Sequence, residues 1–89
     1  MEWSFSFTGQ AEKFLAHRHL ESAFAVEPVR KAIKKLMGET VAVDLRKTSG
    51  KWAGYYRVRV GKIRIIFSVD FDGQKILIEV IDNRGSAYR

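Results

Sequence analysis

Two turn signals, Gly61-Lys62 and Asp72-Gly73, cut residues 55–81 into three runs of β-type sequence. Both suit a two-residue hairpin loop, one with glycine leading and one as Asp-Gly. A two-residue loop fixes pairing, so Val60 is set to face Ile63 and Phe71 to face Gln74. Counting outward then sorts every side chain. One face takes Tyr56, Val58, Val60, Ile63, Ile65, Phe67, Val69, Ile76, Ile78 and Val80; the other takes Arg57, Arg59, Arg64, Ile66, Ser68, Asp70, Lys75, Leu77, Glu79 and Ile81. The first set is wholly apolar or aromatic. A slip of one residue would scramble both faces, so the clean separation itself supports the register.

The first half supplies a cover for that apolar face. Trp3, Phe5 and Phe7 alternate with Ser4 and Ser6, the pattern of a half-buried strand. Thr8 suits a helix N-cap. From there to about Glu21, Ala11, Phe14, Leu15 and Leu20 form a helical stripe. A second helix is predicted over "VEPVRKAIKKLMGE", with Pro28 in the first helical position and Gly38 as its stop. Val29, Ile33, Leu36 and Met37 share one face of it, while Arg30, Lys31, Lys34 and Lys35 read as a solvated flank. Residues 39–54 read as a connection. The expected fold is α+β: an N-terminal strand, two helices, then a three-stranded antiparallel meander, forming one sheet with the helices on one face. Residues 1–89 are expected to form one domain, since a chain of this length builds one thin core.

Composition narrows function. There is no cysteine, which removes disulfides and thiolate metal sites and allows a cytosolic home. No apolar run approaches the ~20 residues of a membrane span, and "MEWSFSF" does not read as a signal peptide. Net charge is +6. Residues 1–45 carry six Lys/Arg and six Asp/Glu, whereas residues 46–89 carry ten and four. The excess belongs to the second half, which points to a polyanionic partner there. His17 and His19 lie two apart on a helix, do not face each other and read as surface residues.

In the meander, Arg59 lies directly across from Arg64, with Arg57 two residues along on the same face. Opposed like charges with Cβ atoms ~5 Å apart destabilise a sheet by tenths of a kcal/mol. Asp70 opposite Lys75 shows the favourable pairing in the same sheet. Three guanidinium groups converging on one face can clamp a phosphate bidentately. The plainer reading has Glu79 neutralise one arginine while the others reach into water. Ile66, Leu77 and Ile81 sit among these charges on the non-core face, an apolar patch rimmed by charge and so a candidate partner surface.

The stretches "LRKTSGKWAGYYRVRVGKIRIIFSVD" and "IEVIDNRGSAYR" resemble the RelE/ParE toxin superfamily of bacterial toxin–antitoxin systems. The order strand, two helices, three strands fits as well, so the resemblance spans nearly the whole chain. On the RelE-like branch it implies a ribosome-dependent endoribonuclease that cuts mRNA in the decoding site. Arg57 and Arg59 match the paired basic residues of the second strand, Arg64 that of the next strand, and Arg84 and Tyr88 the C-terminal arginine and tyrosine. Arg46, Lys47, Lys51, Lys62 and Arg89 are the further expected RNA-binding positions. No cofactor or metal is implied. The implied partners are a cognate antitoxin, at Ile66, Leu77 and Ile81, and the ribosome with its mRNA; DNA is met only through the antitoxin, no membrane is involved, and the location is cytoplasmic.

The implied chemistry is attack of a ribose 2′-OH on the adjacent phosphate. Arginines stabilise the phosphorane well but are poor bases, with pKa values above ~12. Related enzymes often have lysines at the two second-strand positions, where this chain has arginines. Tyr88, of reference pKa near ~10, is the candidate base; Glu79 and Asp44 read as salt-bridge partners. Two other classes share the fold: a ParE-like gyrase inhibitor without nuclease activity, and a non-catalytic nucleic-acid-binding domain.

Overall fold

The computed structural model describes residues 3–50 and 53–83. Its elements run β1 (Ser4–Phe7), α1 (Gly9–His17), α2 (Ala23–Leu36), β2 (Asp44–Lys47), β3 (Tyr56–Val60), β4 (Ile63–Asp70) and β5 (Lys75–Asn83). They build an α+β fold on a five-stranded mixed sheet ordered β1-β5-β4-β3-β2. β1 lies parallel to β5 and the other pairings are antiparallel. Both helices pack on one face, where Ala11, Leu15, Ala25, Val29, Ala32 and Ile33 meet Val58, Ile65, Phe67, Ile76, Ile78 and Ile81. The periodicities of α1, α2 and the meander are those of a buried stripe and a buried pleat, so these apolar sets find each other.

Thr8 caps α1 as expected, its Oγ1 accepting from the Ala11 amide at 3.3 Å. The helix ends at His17 rather than near Glu21, because His19 turns left-handed at φ 56° and the Leu20 amide returns to the Leu15 carbonyl. α2 begins at Ala23, so Pro28 lies inside the helix and not at its start. Fully buried Ala25 and half-buried Phe24 draw the chain into helix upstream of the proline. Gly38, at φ 98°, stops α2 as expected.

The meander pairs as the turns dictate where they govern it: Val60 with Ile63, Arg59 with Arg64, Asp70 with Lys75. The second loop differs in kind. It takes four residues, 71–74, with the positive φ at Gln74 rather than in the Asp-Gly pair. At Gly73 a Cβ would stand 2.7 Å from the Asp70 carboxylate, which accepts from the Gly73 amide, so a side chain there would have to displace that carboxylate.

Two larger corrections concern the sheet. Residues 39–54 contain β2, a short edge strand beside β3 whose Leu45 joins the core. And β5 carries a bulge: Phe67 pairs with Ile78, but Ile66 pairs with Val80 and Ile65 with Ile81. One extra residue reverses the faces beyond it. Ile81 is therefore fully buried, Val80 shares the opposite face with Ile66, and Glu79 is the extra residue. Side chains of the β1–α1 junction hold the bulge. Thr8 Oγ1 donates to the Glu79 carbonyl at 2.6 Å, and the Gln10 amide bonds both backbone groups of Ile81, at 2.9 and 3.0 Å. Beyond Phe7, where β1 stops, Gln10 thus takes the place of a neighbouring strand. No helix of the described residues is long and apolar enough to cross a membrane.

Candidate functional site

The sheet face away from the helices is built from alternate residues of β2 to β5. β2 sets Asp44 and Arg46 against Arg59 and Arg57 of β3. On its other side β3 sets Arg59 against Arg64 and Arg57 against Ile66 of β4. β5 then adds Asp82 beside Arg64 and Val80 beside Ile66. Four arginines and two aspartates thus form one contiguous patch on a rigid strand scaffold.

The carboxylates do different things. Arg64 donates from Nε and Nη2 to the two oxygens of Asp82, at 3.1 and 2.8 Å, a bidentate pair. The Asp44 carboxylate lies between two guanidiniums, 3.8 Å from Arg57 Nη2 and 3.7 Å from Arg59 Nη1, with Arg46 Nε at 3.8 Å. These exceed hydrogen-bond length and are charge pairing only. The repulsion expected between Arg59 and Arg64 is therefore offset from both flanks. The Arg57, Arg59 and Arg64 side chains are only 16%, 25% and 21% exposed, against 73% for Arg46. Arg59 Nε is buried with no hydrogen-bond partner among the described residues, an unmet donor of the kind native structures rarely keep.

Arg46, Lys47, Thr48, Ser49, Arg57, Arg64 and Ile66 line an open cavity of about 250 Å³. Ile66 is 3% exposed yet lies outside the main core. Its neighbours across the strands on this face are Arg57 and Val80.

Arg57, Arg59 and Arg64 are thus brought together as the alternation predicts, and β2 delivers Arg46 and Lys47 to the same site. Lys62 is exposed in the turn next to the Arg59–Arg64 pair. Lys51, Arg84, Tyr88 and Arg89 lie outside the described residues. Asp44 is the salt-bridge partner expected of it, but Glu79 does not neutralise the cluster; Asp82 does, a role hidden in the sequence by the bulge. Of the three expected partner-contacting residues, Leu77 is half-buried beside Ser6 and Ser68. Ile66 is covered and Ile81 is a core residue, so Ile81 offers no surface to a partner. Among the described residues no three His, Asp or Glu side chains gather as metal ligands would.

No protein-family model matches the chain, and no curated protein matches its sequence. Solved structures do match in shape. The archaeal RelE–RelB complex from Pyrococcus horikoshii aligns at 27% identity and TM-score 0.58, covering 96% of this chain and 98% of that one. The DinJ–YafQ complex from E. coli aligns at 13% identity and TM-score 0.63, over 99% and 100%. This is the RelE/ParE toxin fold. The RelB–RelE antitoxin–toxin complex from Methanococcus jannaschii matches it too, at 24% identity and TM-score 0.59, over 93% and 94%. Within the RelE/ParE fold, the patch described here occupies the sheet face opposite the helices, with three largely buried guanidinium groups of which two lie beside an open cavity.

Proposed function

We propose that residues 1–89 act as the toxin of a type II toxin–antitoxin pair, and that the toxin is a ribosome-dependent mRNA endoribonuclease. The observation that carries this reading is the set of Arg57, Arg59 and Arg64, held largely buried on one sheet face beside a cavity with the more exposed Arg46 on its rim. A phosphodiester bound there would receive bidentate guanidinium contacts and could supply the oxygen that Arg59 Nε lacks.

In the reaction, a ribose 2′-OH gives up its proton and attacks the adjacent phosphorus. The P–O5′ bond breaks and the 5′-oxygen takes a proton, leaving a 2′,3′-cyclic phosphate and a 5′-hydroxyl. Arg57, Arg59 and Arg64 stabilise the charge that builds on the phosphorane, the largest single contribution expected of such a site. Arg84 is assigned a further share of that stabilisation, and Tyr88 handles the proton. Lys47, Lys51, Lys62 and Arg89 guide the RNA backbone.

The ribosome supplies what the small chain lacks, an mRNA held in one register. The protein acts in the cytoplasm. Its antitoxin contributes an acidic segment that folds across the arginine face near Ile66 and Leu77 and carries any contact with DNA. The solved RelE–RelB and DinJ–YafQ complexes support an antitoxin as the partner.

A cell-free translation reaction tests the function. The expected result is mRNA cut at codon-phased positions, with no cutting when ribosomes are omitted. Intact mRNA, with double-strand breaks accumulating in a gyrase reaction, would instead assign the ParE-like activity. RNA binding without cleavage in either reaction would leave a binding domain.

A further inference from the structure

We infer that Gln10 is a positioning residue for the arginine site: from the first turn of α1 it holds the β5 bulge, and the bulge brings Asp82 to Arg64. The inference deepens the reading of this face as a phosphate clamp and rests on that reading for its kinetic test alone.

Beyond Ile78, β5 has two registers open to it. With no bulge, the ladder from the Phe67–Ile78 pair would run on straight, setting Glu79 against Ile66, Val80 against Ile65 and Ile81 against Arg64. The apolar pattern accepts that register, since Ile76, Ile78 and Val80 would then all turn toward the helices. It gives Arg64 no carboxylate, because Asp82 would pair with Ile63. The bulge instead buries Ile81 and sets Asp82 across from Arg64, where it accepts both guanidinium bonds. A single residue of register therefore decides whether the Arg64 fork is fixed.

The bonds that select the bulged register come from residues 8–10. The Thr8 amide donates to the Ile78 carbonyl at 3.1 Å, and Thr8 Oγ1 donates to the next carbonyl, that of Glu79, at 2.6 Å. Gln10 then takes both backbone groups of Ile81. Its Nε2 donates to the carbonyl at 2.9 Å and its Oε1 accepts from the amide at 3.0 Å. A donor and an acceptor side by side reproduce the paired exchange of a neighbouring strand. In a straight strand, alternation would turn the backbone groups of Ile78 and Val80 to this side, and those of Ile81 to β4. Gln10 can hold Ile81 only when the bulge is present. Gln10 is itself exposed, so replacing it leaves the apolar core intact; water then meets the Ile81 groups without holding their register.

The test is a double-mutant cycle. Gln10→Ala should slow single-turnover cleavage of ribosome-bound mRNA about tenfold, within the couplings usual inside one hydrogen-bond network, with the half-saturating concentration unchanged. In an Asp82→Asn background the same substitution should add nothing. Gln10→Glu keeps the acceptor and loses the donor; it should fall between, and it carries the test if Gln10→Ala does not fold. Ile76→Val, a core change on the same strand, destabilises without touching the bulge and should leave the rate unaltered. The Arg64 Nε–H resonance of ¹⁵N-labelled protein reports the fork directly. Gln10→Ala should move it toward that of a solvated guanidinium and speed its exchange with water. An unmoved Arg64 resonance would overturn the inference, as would additive losses in the cycle or an equal loss in Ile76→Val. If the unaltered protein cuts no mRNA, the ribonuclease reading falls, and the Arg64 resonance still decides the role of Gln10.

Discussion

Asp44 and Asp82 both neutralise arginines, yet their geometry assigns them different roles. Asp82 fixes the Arg64 fork through two hydrogen bonds. Asp44 makes no hydrogen bond to Arg57 or Arg59, only charge contacts near 3.8 Å, and a phosphate must compete with it. Asp44→Asn is therefore expected to tighten binding of a non-cleavable 2′-O-methyl RNA several-fold, read by fluorescence anisotropy; weaker binding would make Asp44 a positioning residue. Arg57→Ala and Arg64→Ala should each weaken the same binding about ten- to a hundred-fold, since hydrogen bonds to charged groups contribute about 1.5–3 kcal/mol. The arginine triad was legible from alternation alone. Asp82 was not, because a single bulged residue decides whether it or Glu79 faces Arg64.

At the scale of elements, β5 joins the site to the core. Its bulge turns Ile81 inward and Asp82 toward Arg64 together, so the strand's packing and the clamp's geometry are one feature. Gln10→Ala removes both side-chain bonds to the Ile81 backbone and should cost about 1–2 kcal/mol in urea unfolding. Ile81→Ala, at a fully buried position, should cost about 2–5 kcal/mol. A near-zero cost for Ile81→Ala would place that side chain on the surface and undo the bulge. Hairpin registers were readable because each is set by a short turn. The bulge depends on Thr8 and Gln10, some seventy residues away in sequence, and no local pattern announces it. β2 did leave a signal, since Val41, Val43 and Leu45 alternate. It is a four-residue strand whose partner lies across a loop, and only tertiary pairing makes it a strand. The parallel placement of β1 beside β5 is likewise a matter of packing between the two ends of the chain.

Across the whole molecule, charge and apolar surface are separated. The excess of lysine and arginine lies in residues 46–89, and among the described residues Arg46, Arg57, Arg59 and Arg64 gather on the face away from the helices, while the exposed large apolar side chains, Met37 and Phe71, lie toward the β1 edge. A basic face of this kind makes RNA binding salt-dependent. Neutralising three phosphates should give a slope near −2 in log K against log salt for a single strand, and each arginine removed from the clamp should reduce its magnitude by about 0.7. A slope that does not change in Arg59→Ala would put the phosphate contacts elsewhere.

The arginine face is tested most directly by single-turnover cleavage of ribosome-bound mRNA, comparing the unaltered protein with Arg57→Ala, Arg59→Ala and Arg64→Ala. Each variant should keep its circular dichroism spectrum and lose at least about a hundredfold in cleavage rate, the loss typical when one preorganised charge-stabilising donor is removed. Codon-phased cutting by all three variants at the unaltered rate would show that the cluster is not where the phosphate reacts.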